Sequence, residues 1–203
     1  MTKETDIRVL GIDPGMRFTG FSFLSYDRAK GKTTVNEYGT FCADALTKKE
    51  NGKELKIYGN IITLETYERE FNKLFEKYKP QFVVSESAFY NPKMPNAFLS
   101  LSLCINTMKR VLRTHGQVLY TVAPKEAKQC VATGIADKVA VQDGIHKHDD
   151  LIIKHTKANP IEKMVEHEAD SCAIGYTFIK NYLNDILMIQ EQQRLKEMLK
   201  VKK

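Results

Sequence analysis

The stretch VLGIDPGMRFTG, residues 9–20, constrains what this chain can fold into more than any other. Ile7, Val9, Leu10 and Ile12 make an apolar run of the kind that becomes a buried strand. Asp13 stands at the end of that run and is followed at once by Pro14 and Gly15. A carboxylate placed there loses hydration, so something must compensate it. Three candidates are a metal ion, a salt-bridging partner, or a phosphate turn in which the backbone at Gly15 and Gly20 approaches a ligand closely. A fourth is purely local, with the Asp13 side chain capping its own turn.

The rest of the chain supplies a sheet for this strand to join. Residues 6–13, 19–26 and 34–42 alternate or run apolar between the turns DPGMRFTG and DRAKGKTT, which predicts a three-stranded antiparallel meander. A helix is expected over 55–79, where Leu64, Tyr67, Phe71, Leu74, Phe75 and Tyr78 recur at helical spacing and Pro80 closes the run. QFVVSESAF follows as a short strand ending at Glu86, then the turn YNPKMPN, then a helix over 96–115 with Leu99, Leu103, Met108, Val111 and Leu112 as its apolar positions. QVLYTVAP is another strand, Pro124 opens a short helix through Ala132, and TGIADK turns into a helix over 138–155. EKMVEHEADSCAIGYTFIKNYL is helical with an apolar second half, and QEQQRLKEMLKVKK is a basic amphipathic tail. The expected architecture is α/β, a ribonuclease H-like mixed five-stranded sheet with helices on both faces, in one domain over 1–185 with a basic helical tail over 186–203. No internal repeat or low-complexity linker interrupts it.

Composition narrows the function. With 203 residues and 42% apolar content the chain supports one good core. Thirty-one Lys and Arg against 25 Asp and Glu give a net charge of +6, which favours a polyanionic partner. Cys42, Cys104, Cys130 and Cys172 lie far apart with no C-x-x-C pair, so neither a zinc knuckle nor a disulfide framework is expected. The charged N-terminus and the lack of any run of 18 apolar residues point to a cytoplasmic protein with no membrane partner.

A set of acids carries the chemistry. Asp13 and Glu86 both end apolar strands, and they converge at one sheet edge if those strands are neighbours. In the last helix Glu166, His167 and Asp170 share a narrow arc, because positions i, i+3 and i+4 lie on one face, whereas Glu168 points away. Oxygen ligands converging in this way suit hard divalent cations, magnesium or manganese. Two such ions activate a water and stabilise the leaving oxygen in phosphodiester cleavage.

GIDPGMRFTG, FVVSESAF, APKEAKQCVATGIADKVAVQ and HEADSCAIGY, taken in this order, resemble the motifs of the RuvC family of Holliday-junction resolvases, over nearly the whole chain. The resemblance implies that Asp13, Glu86 and Asp170 bind metal, with His167 at a position where members carry either Asp or His. It makes Glu166 a supporting residue, Phe89 the aromatic wedged against bases at the crossover, and Lys128 and Lys138 the two lysines near the scissile phosphate. It further implies two Mg2+ ions per site with Mn2+ substituting, a four-way or other branched DNA substrate, and a homodimer whose seam includes Leu101 and Ile105. The stretch between Asp13 and Glu86 is longer than in the bacterial cellular enzymes, with TKKENGKE as an added basic loop, and the C-terminal tail is not part of the common core. Both features bear on target choice, since some phage-encoded relatives accept many branched DNAs with little sequence preference, and the resemblance implies the cytoplasm of a bacterial cell or of a phage-infected host.

Competing functions are a broader branched-DNA nuclease, a ribonuclease H, a non-catalytic junction-binding protein, and an actin-like phosphate-binding domain. The last requires a second Asp-Gly loop and a duplicated domain, for which there is no room. HKHDDLIIKH, with His146, His148, Asp149, Asp150 and His155, is expected to be a solvated helix face rather than a second metal site.

Overall fold

The computed structural model describes residues 6–51, 60–90, 92–132, 138–154 and 164–201. The chain order is β1 (Ile7–Asp13), β2 (Thr19–Asp27), β3 (Lys32–Phe41), α1 (Ala43–Asn51), α2 (Asn60–Tyr78), β4 (Phe82–Glu86), α3 (Pro95–Thr114), β5 (Leu119–Val122), α4 (Pro124–Val131), α5 (Lys138–His146), β6 (Leu151–Ile153), α6 (Glu166–Asn181) and α7 (Leu183–Val201). Six strands form one sheet in the order β5-β4-β1-β2-β3-β6. β1, β2 and β3 are the expected antiparallel meander, while β4 runs parallel to β1, β5 to β4, and β6 to β3.

Strand alternation divides the core in two. Ile7 and Val9 of β1 join Leu24, Phe82, Val84 and Val122 against α4, α5 and α6 on one face. Leu10 and Ile12 join Val83 against Tyr67, Phe71 and Phe75 of α2 and Met108 and Leu112 of α3 on the other. Helices therefore cover both faces, and β1, buried on both sides, reads as a continuous apolar run. At the end of α2, Lys79 takes a positive φ of 43° and Pro80 follows, so the helix stops where the sequence puts its breaker.

α6 lies unusually close to the sheet. A Cβ on Gly11 would overlap the Ser171 carbonyl oxygen, and one on Gly20 would overlap the carbonyl of His167. Only glycine lets the helix backbone settle at these two points, and this sets how near the first turn of α6 comes to Asp13. Gly15 is used within the turn itself, where a Cβ would press on the Phe18 carbonyl oxygen. Internal packing thus accounts for glycine at positions 15 and 20 without a phosphate turn.

Four expectations need correction. The sheet has six strands rather than five, because the helix expected over 138–155 ends at His146 and Leu151–Ile153 becomes β6. The free edge of β3 decides this, since Thr33, Thr34 and Val35 pair with Leu151, Ile152 and Ile153, an interaction 118 positions apart along the chain that no local pattern carries. HKHDDLIIKH is accordingly a helix end, a turn and a strand. Its His148 packs edge-on against Tyr176 with ring centroids 4.7 Å apart, and His155 lies outside the described residues. The start of TKKENGKE, residues 47–51, is the second half of α1 rather than a loop, with the buried Thr47 hydroxyl donating to the Ala43 carbonyl at 2.7 Å. The remainder of that stretch lies outside the described residues.

The fourth correction concerns α3. Ile105 is buried and so is not available to a surface seam, Leu101 is only partly buried against the core, and Leu99, expected inside, is 55% exposed. Met108, Val111 and Leu112 are buried as expected, and Leu101, Cys104 and Ile105 share their face, whereas Leu99 does not. The apolar positions are spaced at helical intervals, and only the position of the sheet selects among them.

Candidate active site

Two strand ends and one helix start meet here. β1 and β4 are parallel neighbours with Ile12 opposite Ser85, so Asp13 and Glu86 leave the sheet side by side, one residue beyond that pair. Alternation places Asp13 on the face of Ile7 and Val9, and Glu86 on the face of Phe82 and Val84, which is the face α6 covers. The first turn of α6 brings His167 and Asp170 to the same point. Glu168 is used elsewhere: its carboxylate accepts the Val165 backbone N–H at 3.0 Å and caps the helix.

Asp13 and His167 are joined directly, with Nδ1 of the imidazole 2.7 Å from Oδ2 of the carboxylate. An ionised carboxylate only accepts, so Nδ1–H is the donor and Nε2 is the ring nitrogen outside this bond. This bond, more than any other cause, raises the pKa of His167, against the opposing effect of burial. The capping alternative for Asp13 is therefore replaced by a partner 154 positions away.

The other two acids are strained electrostatically. Burial, then the charges of Asp13 and Asp170, push the Glu86 carboxyl up to about 8. Burial, then Asp13, push Asp170 up to about 6, with Glu166 adding to the repulsion. Lys128 on α4 opposes both shifts, so this lysine stands close enough to act on the cluster. Among the described residues neither the Glu86 nor the Asp170 carboxylate has a hydrogen-bond partner of its own. Three carboxylates brought together, with a donor for Asp13 but none for Glu86 or Asp170, are suited by charge and by donor type to a hard divalent cation. As they stand, no three His, Cys, Asp or Glu side chains among the described residues are arranged to hold a metal ion, one Asp13 oxygen being turned onto His167.

Phe89 follows β4 in an open connection and is 50% exposed, so it is not a core aromatic. Lys138 opens α5, and its side chain lies outside the described residues. Glu166 acts on His167 and Asp170 through its charge, while His167 is the group bonded to Asp13. Phe18, which the motif reading does not mark, borders the site: its ring stacks on that of His167 with centroids 5.8 Å apart. The available signal was an aromatic residue in a polar turn between two strands.

No family model matches the chain. A crossover junction endodeoxyribonuclease RuvC from Finegoldia magna is 32% identical over 148 residues, covering 68% of this chain and 77% of that protein. This chain belongs to the RuvC family. The RuvC of Gloeobacter violaceus is 29% identical over 84% of this chain and 87% of its own length. Among solved structures, Thermus thermophilus RuvC in complex with a Holliday junction substrate is similar with a TM-score of 0.60 and 17% identity, over 84% of this chain and 92% of that one. A yeast mitochondrial Holliday junction resolvase is similar with a TM-score of 0.63 and 17% identity, over 90% and 84%. These structural likenesses establish the ribonuclease H-like fold of a RuvC-family protein. Among the described residues no helix is long and apolar enough to cross a membrane.

Proposed function

We propose that this RuvC-family chain resolves four-way DNA junctions by paired symmetric nicks, with Asp13, Glu86, His167 and Asp170 as the hydrolytic site. The convergence of three carboxylates with no hydrogen-bond donors to balance Glu86 and Asp170 carries this reading. Asp13, Glu86 and Asp170, with His167, would hold Mg2+ or Mn2+, two ions in all, which when bound supply a polarised water and stabilise the leaving oxygen. Nε2 of His167, the ring nitrogen that Asp13 leaves free, would be the atom that reaches such an ion, with Asp13 orienting the ring through Nδ1. Lys128 offers its charge to the phosphate beside the acids, and Lys138 is assigned the same task from its motif.

Two cuts related by a two-fold axis require two sites, hence a homodimer. Its seam is assigned to the outer face of α2 and α3, where Ile61, Leu64 and Leu103 line one groove. The basic excess of the chain supplies backbone contacts around the branch point.

The test is cleavage of labelled four-way, three-way, flap and linear duplex DNAs by the purified chain with magnesium. Paired nicks at the four-way junction, abolished by chelation, are expected. Equal cleavage of all branched forms would support the broader nuclease, and binding without any cleavage would support the non-catalytic junction-binding protein.

Two variants follow from the geometry. Lys128→Ala is expected to slow single-turnover cleavage by ~10-fold or more while weakening junction binding by less, because one phosphate contact among many adds little affinity but a charge beside the transition state adds rate. Equal losses in rate and affinity would reduce it to an ordinary backbone contact. Phe89→Ala is expected to impair cleavage of intact junctions more than of pre-opened ones, since an exposed rigid ring serves to hold unstacked bases. The measurement is the ratio of the two rates, and an unchanged ratio would exclude the wedge.

A further inference from the structure

Phe18 is 48% exposed and stacks on His167, the partner of Asp13. Its position is fixed by the turn that carries it. The Thr19 hydroxyl donates to the Gly15 carbonyl at 2.6 Å and accepts the Gly15 N–H at 3.3 Å, closing residues 15–19 into a tight loop. The Met16 carbonyl accepts the Asp44 N–H at 3.2 Å, which ties the same loop to α1. Within this loop Met16 packs against the α2–α3 core, while Phe18 turns outward over His167 with the two ring planes 22° apart.

One side of the phenyl ring is thus occupied by an imidazole that Asp13 already holds, and about half of its surface remains in water. A flat apolar face that is rigid, exposed and within one side chain of a hydrolytic carboxylate suits a planar, aromatic ligand group. We propose that Phe18 is a stacking platform for an unpaired nucleobase flanking the scissile phosphate, extending the His167–Phe18 stack by one ring. Resting on the junction-cleaving function proposed above, it gives the site two aromatic contacts from separate connections: Phe18 between β1 and β2, and Phe89 after β4. An opened branch point presents unpaired bases on both sides of a backbone phosphate, and the acids stand where these two connections meet the sheet. Positive charge from Lys128 at the same place favours the phosphate between those bases.

The experiment is single-turnover cleavage of a four-way junction by the full chain with magnesium, using wild type, Phe18→Ala and Phe18→Tyr. The junction is used intact and with an abasic nucleotide placed in turn at each position flanking the cut. Phe18→Ala is expected to lose about tenfold on the intact junction, and Phe18→Tyr to keep most of the rate. At one flanking position the abasic substitution should cost wild type about as much as the alanine change does, and cost Phe18→Ala no more than about twofold, because the missing partner is already gone. 2-Aminopurine at that position should be quenched when the wild-type protein binds and not when Phe18→Ala binds. An alanine loss that is the same on intact and abasic junctions, with unchanged 2-aminopurine quenching, would overturn the proposal and leave Phe18 as a support for His167. An alanine variant as fast as wild type would also overturn it. A wild-type protein that cuts no junction would instead remove the function on which it rests.

Discussion

Asp13→Asn is expected to lower junction cleavage by ~10³-fold or more while leaving junction binding intact or tighter. Asparagine keeps the side-chain shape and can still accept the Nδ1–H of His167, so the fold of the turn and the seating of α6 survive. What is lost is the negative charge that a cation requires, and with it the charge that raises the His167 pKa. Removing one negative charge from a surface that meets phosphates does not weaken DNA binding and reduces repulsion. Single-turnover cleavage and a binding titration on the same junction measure both halves. A variant cutting near the wild-type rate would show that Asp13 is not a ligand, and the site assignment would fail with it.

The second large effect concerns stability rather than rate. In metal-free buffer at pH 8 to 9, Glu86→Gln is expected to be more stable than wild type by ~2–3 kcal/mol, allowing for solvent screening. The sign follows from the direction of the shift. The folded-state pKa of Glu86, about 8, lies above its ordinary value of 4.5, so the folded protein retains a proton that the unfolded chain has released. Wild-type stability therefore falls as pH rises through the window from about 4.5 to 8, and the full penalty is present above it. Glutamine carries no charge at any pH and avoids the penalty, so the two melting curves should converge below about pH 4.5. Magnesium should narrow the gap at high pH, because an ion bound only by the folded wild type stabilises it by mass action. Thermal melts across pH, with chelator and with magnesium, provide the test, and equal melting temperatures at every pH would show that Glu86 is not electrostatically strained. A residue whose removal stabilises the protein while removing activity is what a preorganised cation site predicts.

The features legible in the sequence are those that depend on a few neighbouring residues. Asp13 and Glu86 at strand ends, the shared arc of Glu166, His167 and Asp170, and the divergence of Glu168 follow from the periods of strand and helix. The stop at Pro80 and the start at Pro124 follow from proline's missing donor and fixed φ. The motifs built from these residues were distinctive enough to indicate the RuvC family, and the relatives bear that out.

Tertiary structure decided everything that joins distant segments. Which acids meet depended on β4 inserting in parallel beside β1, with Ile12 opposite Ser85. The short run Leu151–Ile153 became a strand only because the edge of β3 was available to pair with it. α3 buries Ile105 along with the expected Met108, Val111 and Leu112 and exposes Leu99, because the sheet, not the helix, selects among its apolar positions. Gly20 looked like a ligand glycine, but α6 needed the space of the Cβ atoms missing from Gly11 and Gly20 to bring His167 to Asp13. The physical reason is the same in each case. Local propensities cost or contribute tenths of a kcal/mol per residue and are written in adjacent positions, whereas pairing and burial between remote segments are larger and depend on a partner surface that exists only once the chain has folded.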